Sequence, residues 1–147
     1  MVSISLLFWI LTLICCRHAI VFGGRDGWWA SFLFVSSALL TIPAARLGRG
    51  WGETELLVFA VDFAFLAGLY VLMLISRRYW PIWMTGFHLV AVVSHFATMV
   101  TPNVTPRLYK AIESFWAIPI LLTMLIGVEL DRRAAARARP VPGHPKS

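Results

Sequence analysis

Apolar residues along this chain fall into five long runs, each closed by a short polar or glycine- and proline-bearing segment. A helix needs roughly 20 mostly apolar residues to cross a bilayer. The runs predict spans at about 2–22, 28–45, 55–76, 81–101 and 110–129. The expected fold is all-α: a multi-pass transmembrane helical bundle of about five spans in one domain, 1–130. Residues 131–147 read as a basic cytoplasmic tail, a short helical extension followed by a disordered segment rich in alanine, arginine and proline. The chain shows neither an internal repeat nor a pair of broken helices of the transporter kind.

The punctuation gives each span its ends. Arg17 and His18 follow the first apolar run where a cleavage site would carry small residues, so a retained helix is expected rather than a signal peptide. The turn Gly23-Gly24-Arg25-Asp26-Gly27 precedes Trp28 and Trp29, an interfacial aromatic pair opening the second span. Ser36, Ser37 and Thr41 in that span read as packing hydroxyls, and Pro43 as a kink or stop. Thr54 and Glu55 suit a helix N-terminus and are expected to start the third span. Its Ala64, Ala67 and Gly68 provide a small face for close helix approach. Tyr79, Trp80 and Trp83 form a second aromatic belt, with Pro81 in the first turn of the fourth span.

Composition agrees with the pattern. Of 147 residues, 59% are hydrophobic and 14% charged, and the mean hydropathy is +0.77. Soluble domains run to about 45–50% apolar and about 25% charged. The net charge of +6 and the isoelectric point near 10.2 do not imply nucleic acid, because the positive residues sit in the linkers and the tail. Cys15 and Cys16 are adjacent on an apolar helix and read as two small buried side chains.

The basic residues also orient the chain. Nine of them (Arg17, Arg25, Arg77, Arg78, Arg132, Arg133, Arg137, Arg139 and Lys146) fall on one side, and four (Arg46, Arg49, Arg107 and Lys110) on the other. The positive-inside rule puts the N-terminus outside and the C-terminus in the cytoplasm. The arginines just past the fifth span are expected to attract anionic lipid.

In this orientation two ionisable residues share a depth. Asp62 lies seven residues inside the outer end of the third span, and His95 six residues before the outer end of the fourth. Each is about 10 Å deep at 1.5 Å per residue. Intramembrane ionisable groups are functional candidates, so Asp62 and His95 form the leading candidate pair. A purely structural latch between two helices is the bland alternative. Glu113 is near the start of the fifth span on the same side, and His88 is two turns from His95 on the same helical face; both are candidate associates. His18 and His88 are the residues for a bis-histidine haem, held from two helices. No metal site is expected, since no HExxH or comparable spacing occurs. Neither a GxSxG elbow nor a nucleotide motif is present, and Gly48-Arg49-Gly50-Trp51-Gly52 fits no phosphate loop. No catalytic residue or cofactor is assigned, and the chain is read as non-enzymatic.

The stretch Tyr79-Trp80-Pro81-Ile82-Trp83-Met84-Thr85-Gly86-Phe87-His88, with His95 one heptad later and Asp62 before it, resembles small multi-pass inner-membrane proteins of alphaproteobacteria that have no assigned activity. The resemblance covers the middle and C-terminal spans. It implies a bacterial inner-membrane location and carries no activity. Three functions are thus weighed: an accessory or structural membrane subunit packing on a membrane-protein partner or on copies of itself, a small proton-linked transporter or pore component using Asp62 and His95, and a haem-binding membrane protein. The lipid bilayer is the one partner all three require.

Overall fold

The computed structural model describes the backbone of residues 2–47, 51–100 and 106–138, and the side chains of residues 6–44, 56–100 and 115–138. The described residues form five helices: α1 (Val2–Phe22), α2 (Gly24–Leu47), α3 (Trp51–Ile75), α4 (Trp80–Val100) and α5 (Pro106–Arg137). No strand occurs among them. The fold is an all-α bundle. α1 packs on α2, α2 on α3, α3 on α4 and α4 on α5, and α5 returns to α1 and closes the ring. A smaller α2–α5 contact crosses the middle.

Among the described residues three helices are long and apolar enough to cross a membrane: Gly24–Ala44, Leu56–Ile75 and Trp80–Val100. Leu6–Phe22 is a shorter apolar helix. α5 has 32 residues, about 48 Å at 1.5 Å per residue, so it outruns an apolar layer of about 30 Å. Its last turns carry Arg132, Arg133 and Arg137.

Two helix starts differ from the sequence reading. α2 begins at Gly24, four residues before Trp28. Gly24 has φ 59°, a left-handed conformation that glycine adopts without strain, so the chain reverses there at a single residue. Asp26 then falls in the first turn of α2, where a carboxylate complements the exposed amides. α3 begins at Trp51, so Thr54 and Glu55 lie inside its first turns and Thr54 is not the cap. Pro43 does not stop α2, which continues to Leu47. Residues 101–105, between α4 and α5, lie outside the described residues.

The core is narrow and the periphery apolar. Cys15, Leu69, Met84, Leu121, Met124 and Val128 are fully enclosed or nearly so. Cys16 joins them, and both cysteines are free thiols. Glycine permits one especially close approach: a Cβ on Gly127 in α5 would overlap the Trp80 side chain at the start of α4. Outward positions carry Leu13, Phe63, Leu74, Trp83, Val93 and Phe115, all largely exposed. Soluble proteins rarely leave contiguous apolar area of this kind on every element; lipid is the solvent such a surface suits.

Candidate functional site

The seam between α3 and α4 concentrates the buried polar groups. On α4 the enclosed positions are Trp80, Pro81, Met84, Thr85, His88, Val92 and His95. From Pro81 onward they recur at three- and four-residue steps, the spacing that keeps one face of a helix on its neighbour. Three of them are polar, and all three are hydrogen-bonded to α3. Thr85 Oγ1 lies 3.2 Å from the Leu69 carbonyl and 2.8 Å from its own helix's Pro81 carbonyl. His88 Nε2 donates to the Asp62 backbone carbonyl at 2.9 Å. His95 Nδ1 is 3.0 Å from Asp62 Oδ2.

Asp62 therefore receives α4 twice, on its backbone and on its carboxylate. A carbonyl oxygen only accepts, so the His88 contact fixes the proton on Nε2 and leaves Nδ1 as the ring's acceptor. A helical carbonyl has a second lone pair for such a bond. Between His95 Nδ1 and Asp62 Oδ2 a single proton is shared, the ring tautomer setting which of the two donates. Aromatic rings wall the pair: Phe59 meets the His95 ring edge-on at 5.5 Å, Phe96 lies 6.2 Å from Phe59, and Phe65 packs on His88 at 4.5 Å. The His95 side chain is 4% exposed and that of Asp62 18%. Chemically this is one carboxylate and one imidazole positioned to share a proton, with a second imidazole anchored to the same residue.

The structure thus brings Asp62 and His95 together and adds His88 through the main chain. Glu113 belongs to α5, but its side chain lies outside the described residues. His18 and His88 have different neighbours. His18 lies between α1 and α5, with Nε2 3.6 Å from Glu129 Oε2 and its ring on Phe22 at 4.9 Å. His88 is bonded to α3. Among the described residues no group of three or more His, Cys, Asp or Glu is arranged to hold a metal ion.

A second polar cluster escaped the sequence reading. Arg78, at the corner between α3 and α4, sets Nε 3.6 Å from Asp26 Oδ2 and Nη1 3.1 Å from Asp131 Oδ2. Ser76 Oγ donates to Asp26 Oδ2 at 2.8 Å and accepts the Arg78 backbone amide at 3.1 Å. One arginine so ties the start of α2, the α3–α4 corner and the end of α5. Beside it, Glu129 accepts from Arg132 at 2.8 and 2.9 Å and from Arg133 at 2.7 Å. The Arg132 guanidinium covers the Phe22 ring at 4.9 Å, which joins α5 to α1. The available signal was the side on which the acids fall: Asp26, Glu129 and Asp131 all belong to the end that collects the arginines.

Comparison with known proteins adds no relative: no family model, curated protein or solved structure matches this chain.

Proposed function

We propose that this chain is a small multi-pass integral protein of a bacterial inner membrane, N-terminus outside and C-terminus cytoplasmic, serving as a non-enzymatic accessory or structural subunit. One observation carries the reading: the buried polar side chains of α4, Thr85, His88 and His95, are all directed at α3 as interhelical fasteners. Interhelical hydrogen bonds in apolar surroundings are modest fasteners, about 0.6 kcal/mol on average. Several in one seam suit a fixed scaffold. The apolar periphery supports the lipid setting and offers faces to a partner helix or a second copy. The test is purification from native membranes in mild detergent, with mass spectrometry of whatever accompanies the chain in fixed ratio. A stoichiometric membrane partner supports the accessory role, and recovery of the chain alone removes it.

The Asp62–His95 geometry favours a second reading, a proton-linked transporter or pore component. The carboxylate and imidazole are 3.0 Å apart, and Asp62 retains some exposure. In this reading the pair accepts a proton within the membrane. Proton flux in proteoliposomes tests it: Asp62→Asn abolishes the flux while the protein stays folded. Unchanged flux in that variant refutes the role.

A further inference from the structure

We propose that the end of the bundle where the α1–α2 and α3–α4 corners meet binds the headgroup of an anionic phospholipid through Arg25 and Arg77. The inference rests on the membrane reading and goes beyond it in assigning a lipid class and two residues. The corners adjoin: a Cβ on Gly24 would lie 3.8 Å from Arg78 Nη2. Charges there are sorted by depth. Asp26, 12% exposed, is engaged from inside by Ser76 and Arg78. Asp131 is engaged by Arg78 as well. The flanking arginines are exposed. Arg25 is 73% exposed and touches only the far oxygen of Asp26, at 3.8 Å. Arg77 is exposed and has no ion-pair partner among the described residues. Three arginines, Arg25, Arg77 and Arg78, face the two carboxylates Asp26 and Asp131, so the corner keeps one net positive charge, and its two most exposed cations are Arg25 and Arg77.

Arginine suits a phosphate better than a point charge does, since its planar fork donates two parallel hydrogen bonds and is weakly hydrated. The neighbouring side chains favour a lipid over a soluble phosphate. Trp28 and Trp29 follow Arg25 on α2, with Trp28 stacked on Phe32 at 5.5 Å. Tyr79 and Trp83 follow Arg77 onto α4, and all four of these aromatics are exposed. Amphipathic rings beside guanidinium groups are the arrangement that meets a headgroup and the start of its acyl chains.

The full-length chain is reconstituted into phosphatidylcholine vesicles holding a small fraction of brominated phosphatidylglycerol or, separately, brominated phosphatidylcholine, and tryptophan quenching is read. The expected result is enrichment of phosphatidylglycerol on the order of tenfold, abolished in Arg25→Gln/Arg77→Gln. The paired arginines serve as control, so Arg132→Gln/Arg133→Gln keeps most of the enrichment. Arg25→Lys/Arg77→Lys, which preserves charge and removes the fork, is expected to fall between; it also serves if the glutamine variant misfolds. Equal quenching by the two lipids in the wild type overturns the site, as does enrichment that survives the glutamine pair. Loss of the enrichment in millimolar inorganic phosphate overturns the lipid assignment in favour of a soluble anion. A chain that fails to float with vesicles overturns the membrane reading itself, an outcome distinct from floating without lipid preference.

Discussion

Asp62 makes two hydrogen bonds with α4, one through its backbone carbonyl and one through its carboxyl, and they respond differently to substitution. Asp62→Asn keeps both the backbone carbonyl and a side-chain oxygen, so His88 and His95 each retain an acceptor. His95→Ala instead leaves the Asp62 carboxylate without its 3.0 Å partner in apolar surroundings. Interhelical polar contacts in membranes reach about 1.7 kcal/mol at most, whereas stranding a buried polar group costs about 1–3 kcal/mol. The expected order in detergent thermal unfolding is therefore His95→Ala below Asp62→Asn, with the asparagine variant within about 1 kcal/mol of wild type. Equal losses would show that the pair is not the fastener. Asp62 and His95 were legible in the sequence because each is an ionisable group in an apolar run, and helix rise sets their depths. Gly127 was not legible. That this glycine faces Trp80 depends on how α4 and α5 dock, which no local pattern encodes. Gly127→Ala forces its new Cβ into the Trp80 side chain, whereas Gly68→Ala meets the tip of Leu33 at 2.7 Å, a flexible group that can give way. Overpacking costs about 1–3 kcal/mol, so Gly127→Ala should lower the melting temperature more than Gly68→Ala in the same scan.

Helices here are defined by apolar runs, and their joints by single polar residues reaching across the chain. The runs placed α4 and the C-terminal end of α3 closely. They missed the starts of α2 and α3, because helix-forming backbone extends past the apolar stretch whenever the flanking polar residues tolerate it. The left-handed Gly24 made the α1–α2 turn shorter than its glycine-rich sequence suggested. Least legible was the Arg78 clamp, whose partners Asp26 and Asp131 lie 52 and 53 residues away in sequence. A basic residue at a span end reads as a topology signal, and nothing local marks it as a joint. The clamp is only partly enclosed: Arg78 is 31% exposed and Asp131 39%. Pairs of that exposure contribute about 0.2–1 kcal/mol each. Asp26 is more enclosed and would keep only Ser76 and the distant Arg25. Arg78→Gln is thus expected to destabilise by about 1–2 kcal/mol. A double-mutant cycle with Asp131→Asn checks it. A coupling indistinguishable from zero would show that the clamp does not join α5 to the corner.

For the whole molecule, one end gathers the charge. The ion pairs of Arg78 with Asp26 and Asp131, and of Glu129 with Arg132 and Arg133, all belong to the end formed by the close of α1, the start of α2, the α3–α4 corner and the close of α5. Acidic residues contribute little to membrane orientation, so these pairings do not cancel the arginines in setting it. By their order in the sequence, nine basic residues belong to the linkers and tail on this side and four to the other linkers. Five of the nine, Arg132, Arg133, Arg137, Arg139 and Lys146, follow the last apolar stretch. Replacing those five by glutamine leaves four against four, a chain with no charge bias. A compartment-sensitive reporter fused after Ser147 should be wholly cytoplasmic in the wild type and divided between compartments in the glutamine variant. A reporter outside the cell in the wild type would reverse the orientation and put the Asp62–His95 pair near the inner face. A variant that stays wholly cytoplasmic would assign orientation to Arg17, Arg25, Arg77 and Arg78 instead.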